Sequence, residues 1–152
     1  MPRITLHTLV NADQATVFDL ARSIDLHTTS MEHTNERAIA GRTSGLIELG
    51  ETVTWRARHF GVYQTLTAVI TEMDRPHYFV DEMQQGIFAH FRHRHSFVQQ
   101  GEQTVMTDEF DYTAPLGLLG RLADRLFLTR YLRRLLQRRN DILKARAEAT
   151  ST

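Results

Sequence analysis

Residues 79–112 read FVDEMQQGIFAHFRHRHSFVQQGEQTVMTDEFDY, and the alternation within them decides the fold. With a period of two, Phe91, His93, His95 and Phe97 share one face of a strand, and Arg92, Arg94 and Ser96 the other. A two-residue tip at Gly101 and Glu102 closes a hairpin. It sets Phe97 opposite Met106, His95 opposite Asp108, His93 opposite Phe110 and Phe91 opposite Tyr112. On the other flank, a loop over 86–90 sets Phe79 against Phe97, Asp81 against His95 and Met83 against His93. The outcome is a polar row, Asp81–His95–Asp108, between apolar rows on one face. Carboxylates and imidazoles among aromatic side chains read as the wall of a pocket rather than a solvated surface.

Outward from this segment the chain stays strand-rich. Strands are expected at 51–59, 62–72, 77–85, 89–99 and 103–113, separated by Gly61, the Asp74-Arg75-Pro76 turn, Gly86 and Gly101. Connections this short force antiparallel neighbours. Upstream, Ile4, Leu6, Thr8 and Val10 alternate as a strand over 3–10. Asn11, with Gln14 three residues on, fits a helix-capping box. Val17, Phe18, Ala21 and Ile24 form a short helical stripe, a polar turn of helix and loop covers 25–35, and strand material follows at 36–40. Downstream, Pro115 and Gly117 announce a helix to about Ala147. Leu118, Leu119, Leu122, Leu126, Leu132, Leu135, Leu136 and Leu143 form its apolar side. One domain over 1–148 and a frayed tail at 149–152 are expected.

Composition narrows the class. With 152 residues and 41% apolar content the chain can bury a sizeable core. Eighteen basic and eighteen acidic residues cancel, so no global charge points to nucleic acid or an anionic membrane. Cysteine is absent, which removes disulfides and thiol chemistry. The N-terminus lacks the pattern of a signal peptide and no apolar run has the length of a membrane span, so a cytoplasmic protein without stable membrane insertion is expected.

The order strand, two short helices, six antiparallel strands and one long helix resembles the helix-grip fold of the START and polyketide-cyclase (SRPBCC) superfamily. FVDE at 79–82, G-x-F at 86–88, H-x-H-x-F at 93–97, T-x-M-x-D-x-F-x-Y at 104–112 and P-x-G-x-L-G at 115–120 resemble its bacterial ligand-binding members. The resemblance implies an α+β domain in which a curved sheet of about seven strands grips the C-terminal helix. It also implies a cavity for hydrophobic or amphipathic molecules such as lipids, sterols or polyketides, and cyclisation or dehydration in a few members. It implies no metal, and no cofactor is expected. Met83 stands where a polar residue is expected, and Phe91 and Leu66 replace frequent tryptophans, which keeps the wall apolar and alters its shape.

Three readings of the polar row stay open. The groups can simply satisfy one another inside the fold. They can orient the polar head of a ligand whose body lies against Phe79, Met83, Phe91, His93, Phe97, Phe110, Tyr112, Leu122 and Leu126. Or His95 can act as an acid–base group oriented by Asp81 and Asp108, on a polyketide-like or other carbonyl-bearing substrate. No nucleophile accompanies them. His90, His93 and His95 with Asp108 supply nitrogen and oxygen donors, but His90 falls in the turn or on the opposite face, so no metal is expected. Trp55 and Tyr63 flank the His59–Gly61 turn and fit core or pocket rim equally.

The basic C-terminal helix offers a third class of function, a protein-interaction module centred on Arg133–Arg134 and Arg138–Arg139. Its bland counterpart is a solvated face pairing with Glu32, Glu48 or Glu51. The leading expectation is binding of a small hydrophobic or amphipathic ligand for transport, sequestration or sensing, by a monomer or homodimer.

Overall fold

Each alternating stretch becomes a strand in the computed structural model, which describes residues 2–114 and 127–150. The elements are β1 (Arg3–Val10), α1 (Gln14–Ala21), α2 (Ile24–Ser30), a 3-10 turn (Glu32–Thr34), β2 (Arg37–Gly41), β3 (Thr52–His59), β4 (Val62–Asp74), β5 (Tyr78–Gln85), β6 (His90–Gln100), β7 (Gln103–Thr113) and α3 (Thr129–Thr150). All seven strands form one antiparallel sheet in the order β1-β7-β6-β5-β4-β3-β2. Consecutive strands are neighbours except at one crossover: the chain leaves β1 at one edge, passes through the short helices and re-enters as β2 at the other. This is the helix-grip α+β arrangement.

The β6–β7 hairpin has the expected register. Gln100 faces Gln103 across a Gly101–Glu102 tip, and His95 faces Asp108. Gly101 has φ +62°, a conformation glycine reaches without strain. In both strands buried positions alternate with half-exposed ones over most of their length.

The β5–β6 register is two residues away from expectation. Phe79 faces His95 and Asp81 faces His93, and the ladder stops at Glu82–Arg92. Beyond it, Met83 and Gln85 pair only with Ala68 and Thr67 of β4. β5 therefore parts from β6 before the turn, and loop length alone misplaces the partners. A shift of two leaves every side chain on its expected face.

Helix α1 starts away from where the capping box put it. Asp13, in extended conformation, accepts from the backbone N–H of Thr16 and is the N-cap. Asn11 is drawn off instead: its amide oxygen accepts from Gln103, and its N–H donates to Glu148. The polar 25–35 stretch is more helical than expected, with α2 capped by Ser23. At the C-terminus α3 runs through Thr150, so residues 149 and 150, expected to fray, are helical. The start expected for this helix, including Leu118, Leu119, Leu122 and Leu126, lies outside the described residues.

The core sits between the sheet and the helices. Phe18 of α1 is fully buried edge-on to Phe79 at 5.5 Å and to Phe97 at 5.4 Å, and Leu143 and Ala147 of α3 join the same cluster. Each fully buried side chain of this size contributes roughly 1.5–3 kcal/mol. A second cluster joins Ile4, Leu6, Ala68, Phe91, Phe110 and Tyr112, with Leu132 and Leu136 packed on it. No described helix is long and apolar enough to cross a membrane.

Candidate functional site

Between the two clusters the sheet stands off from α3 and leaves a cavity of about 260 Å³. Phe79, Asp81, Phe91, His93, His95 and Phe110, all expected at a site, line it. Among the described residues, Met83, Phe97, Asp108 and Tyr112 lie off its wall. Phe97 is spent on the α1 core and Met83 packs on the second cluster beside Leu66 and Ala68. Tyr112 is buried with its hydroxyl 2.6 Å from Thr129 Oγ1. Leu122 and Leu126 lie outside the described residues.

Asp108 stands behind the histidines, with no exposed surface, as the hub of a charged network. His93 Nε2 lies 2.8 Å from its Oδ1, and His95 Nδ1 lies 3.2 Å from the same oxygen. His95 Nε2 is 2.8 Å from Asp81 Oδ1, a diagonal reach that survives the register shift. The two imidazoles stack at 3.7 Å, and His95 also stacks on Phe79 at 4.3 Å.

Helix α3 completes the hub with Arg139, which the sequence reading assigned elsewhere, and Asn140, which it did not single out. Arg139, placed there on a solvated or partner-binding face, is buried: its Nη1 lies 3.4 Å from Asp108 Oδ1 and its Nη2 donates to the Ala21 carbonyl at 3.1 Å. Asn140 is fully buried, and its Nδ2 donates to Asp108 Oδ2 at 2.7 Å. The spacing Leu132, Leu136, Arg139/Asn140, Leu143, Ala147 continues one helical stripe, and that was the available signal. Of the acids expected to neutralise the helix, Glu48 is engaged by Arg22 and Glu51 by Arg42. Arg133, Arg134 and Arg138 carry no salt bridge to any of the described acids on the sheet.

The network separates the two imidazoles electrostatically. Burial opposes a charge on His95, but Asp108 and Asp81 outweigh it and raise its pKa. Geometry agrees: a neutral His95 donating through Nε2 would turn the Nδ1 lone pair toward the Asp108 oxygen. His95 Nδ1 has no well-aligned hydrogen-bond partner. His93 moves the other way, lowered by burial and then by His95, with Asp108 opposing incompletely. Burial also opposes charge on Asp108 and Asp81. The imidazoles, with Arg139 behind them, prevail and hold Asp108 well below, and Asp81 below, the usual range. Two imidazoles in contact on one wall are thus displaced in opposite directions.

Asp81, His93 and His95 offer donor atoms within 4.8 Å of one another. A cation there would compete with Arg139 and with both imidazole–carboxylate bonds. His90 stands apart, its side chain 45% exposed and 3.9 Å from Glu82.

The rest of the wall was only partly legible. Trp55 lines the cavity and packs at a tilt against His27, ring centroids 4.3 Å apart, while Tyr63 faces outward under Arg56. Glu36, His59 and Tyr131 also line the cavity and were not singled out as wall residues.

Comparison with known proteins agrees with this fold. No curated protein matches the chain. In fold it is similar to a protein from Thermus thermophilus (TM-score 0.80, 17% identity, covering 99% of this chain and 100% of that one). It is similar to a START superfamily protein from Mycobacterium smegmatis (TM-score 0.71, 15% identity, 97% and 98% covered). It is also similar to the Zhui aromatase/cyclase from Streptomyces sp. R1128 (TM-score 0.71, 15% identity, 97% and 93% covered). The sequence profile of the family described as polyketide cyclase / dehydrase and lipid transport matches residues 1–148. With helix-grip architecture and a match over nearly its whole length, the chain belongs to that family, within the START-like SRPBCC superfamily.

Proposed function

We propose that this protein binds a small, mainly apolar molecule in the cavity between sheet and α3, with a polar group of that molecule held against His93, His95, Asp81 and Arg139. The observation that supports it most is the composition of one wall: aromatic and aliphatic side chains surround the charged cluster of Asp81, His93, His95 and Arg139. Apolar enclosure supplies affinity and a few convergent polar groups supply orientation. The family description, which joins cyclisation and lipid transport, supports the same class of ligand. Transport, sequestration or sensing follows from binding alone.

The test is to purify the protein from its native host, denature it mildly and analyse what is released by mass spectrometry. A stoichiometric apolar or amphipathic compound is expected. Empty protein whose melting temperature no hydrophobic library shifts would overturn the proposal.

A second reading, acid–base catalysis on a carbonyl-bearing substrate, is favoured by the opposite displacement of the two imidazoles. Neutral His93, held by Asp108, is the group to accept a proton from the carbon beside the carbonyl. Protonated His95 is the group to donate one to the carbonyl oxygen, leaving an enol. This moves the base from His95, the residue singled out by sequence, to His93. Once a ligand is known, His93→Gln should still bind it and lose its turnover; unchanged product formation would remove this reading.

A further inference from the structure

A second polar station lies at the other end of the same cavity. His59 Nδ1 is 2.6 Å from the Tyr131 hydroxyl, and both residues line the wall. Glu36, also on the wall, lies 3.3 Å from His27 Nε2. Above this station Phe60 packs on Tyr131 at 4.5 Å and on Phe127 at 5.3 Å. Phe60 and Phe127 are each 58% exposed and form an aromatic lip. Tyr131 therefore marks the outer end of the cavity and Arg139 the inner end.

Helix α3 sets the distance between them. Tyr131 and Arg139 are eight residues apart on it, about 12 Å along the axis. The sheet repeats the order: His59 pairs with Val62 at the start of β4, and Asp81 pairs with Ile70 farther along it. Gln64 stands on the wall at the outer side, and the apolar Leu66, Ala68, Phe91, Leu132 and Leu136 lie between the stations.

Charge decides what each station takes. At the inner one Asp81 and Asp108 face protonated His95 and Arg139, so the cluster is balanced and a ligand carboxylate would meet Asp81. At the outer one burial lowers the pKa of His59 and raises that of Tyr131, so both are neutral, with Glu36 nearby to repel anions. A tyrosine hydroxyl has one donor and two acceptor sites, and His59 occupies one of these, leaving capacity for a ligand group.

We infer that the cavity selects an elongated ligand with an apolar, ring-like body and a neutral hydroxyl or carbonyl group at each end, the outer group being read by Tyr131 and His59. The inference rests on the reading of the cavity as a ligand site. Matched rigid probes test it: trans-stilbene, 4-hydroxystilbene and 4,4′-dihydroxystilbene, titrated by fluorescence. The dihydroxy compound should bind about fivefold more tightly than the monohydroxy one, a second buried hydrogen bond being worth about 1 kcal/mol. Tyr131→Phe should bring it back to the monohydroxy level and leave the other two unchanged. His59→Gln, checked for an unchanged melting temperature, should narrow the same gap. Equal binding of the mono- and dihydroxy compounds, or a Tyr131→Phe loss shared by all three, overturns the two-station inference while the cavity reading stands. Failure of all three probes to bind overturns both.

Discussion

Four side chains converge on the buried Asp108. Its carboxylate meets His93, His95, Arg139 and Asn140 at once. Removing one member of a buried charged set leaves the others uncompensated, at a cost of about 3–5 kcal/mol. Asp108→Asn should lose stability of that order in urea unfolding. A loss below about 1 kcal/mol would show that Arg139 and the imidazoles find other partners.

The histidines oppose one another in their pH dependence. His95, raised in the fold, contributes stability that is complete below its unfolded pKa near 6.5 and is lost as pH rises through its folded value. His93, lowered in the fold, binds fewer protons folded than unfolded, so its contribution falls as pH drops below about 6.5. The wild type partly cancels the two slopes. In His93→Gln the opposing His93 slope is gone, so unfolding free energy should decline more steeply with rising pH through about pH 6.5 than in wild type. Parallel curves for the two proteins would count against the opposed assignment.

At this scale the row of Asp81, His95 and Asp108 was legible because strand alternation puts such residues on one face. Arg139 and Asn140 were not, because an arginine on an arginine-rich helix is usually solvated. Only their position between Leu136 and Leu143 in the apolar stripe marked them.

Elements were readable in proportion to how local their determinants are. The β6–β7 register follows from a two-residue glycine tip, and the structure has it. The β5–β6 register depends on where β5 leaves β6 to follow β4, a competition between partners that neither strand encodes. The same contrast applies at the first helix, where Asn11 has the right chemistry for a cap but is claimed by Gln103 and Glu148 from distant elements.

Edge strand β2 shows a backbone requirement that the sequence announces only as a glycine. Its ladder with β3 shifts register between Ala38 and Ala40, and Gly41 follows with φ +74°. A Cβ there would stand 2.3 Å from the Thr52 carbonyl oxygen. Gly41→Ala should therefore cost more than about 1 kcal/mol. Gly61→Ala, also at positive φ but in open space, should cost less. Equal melting temperatures for the two variants would show that β2 relaxes at its edge.

For the whole molecule, the decisive feature is the space between sheet and helix. Ala68, buried at the middle of β4, faces that space between the two polar stations. Ala68→Phe should fill it, cutting stilbene affinity at least about tenfold, the equivalent of losing about 1.4 kcal/mol of contact. Overpacking a filled core costs about 1–3 kcal/mol, so a melting temperature close to wild type would mark the site as empty space. Retained affinity in a folded Ala68→Phe variant would place the probe elsewhere.

Sequence alone determined which stretches are strands and helices, the order that makes them a helix-grip domain, and the polar row on one sheet face. These follow from periodicity, glycine and proline positions, and short connections, all local in the chain. Tertiary structure decided what stands across from that face. It brought Arg139 and Asn140 onto Asp108, removed Phe97 and Tyr112 to the core, and joined His59 to Tyr131 across 72 positions of sequence. Whether a polar side chain meets solvent, a carboxylate or an empty space depends on elements packed from far along the chain, and no local pattern records that.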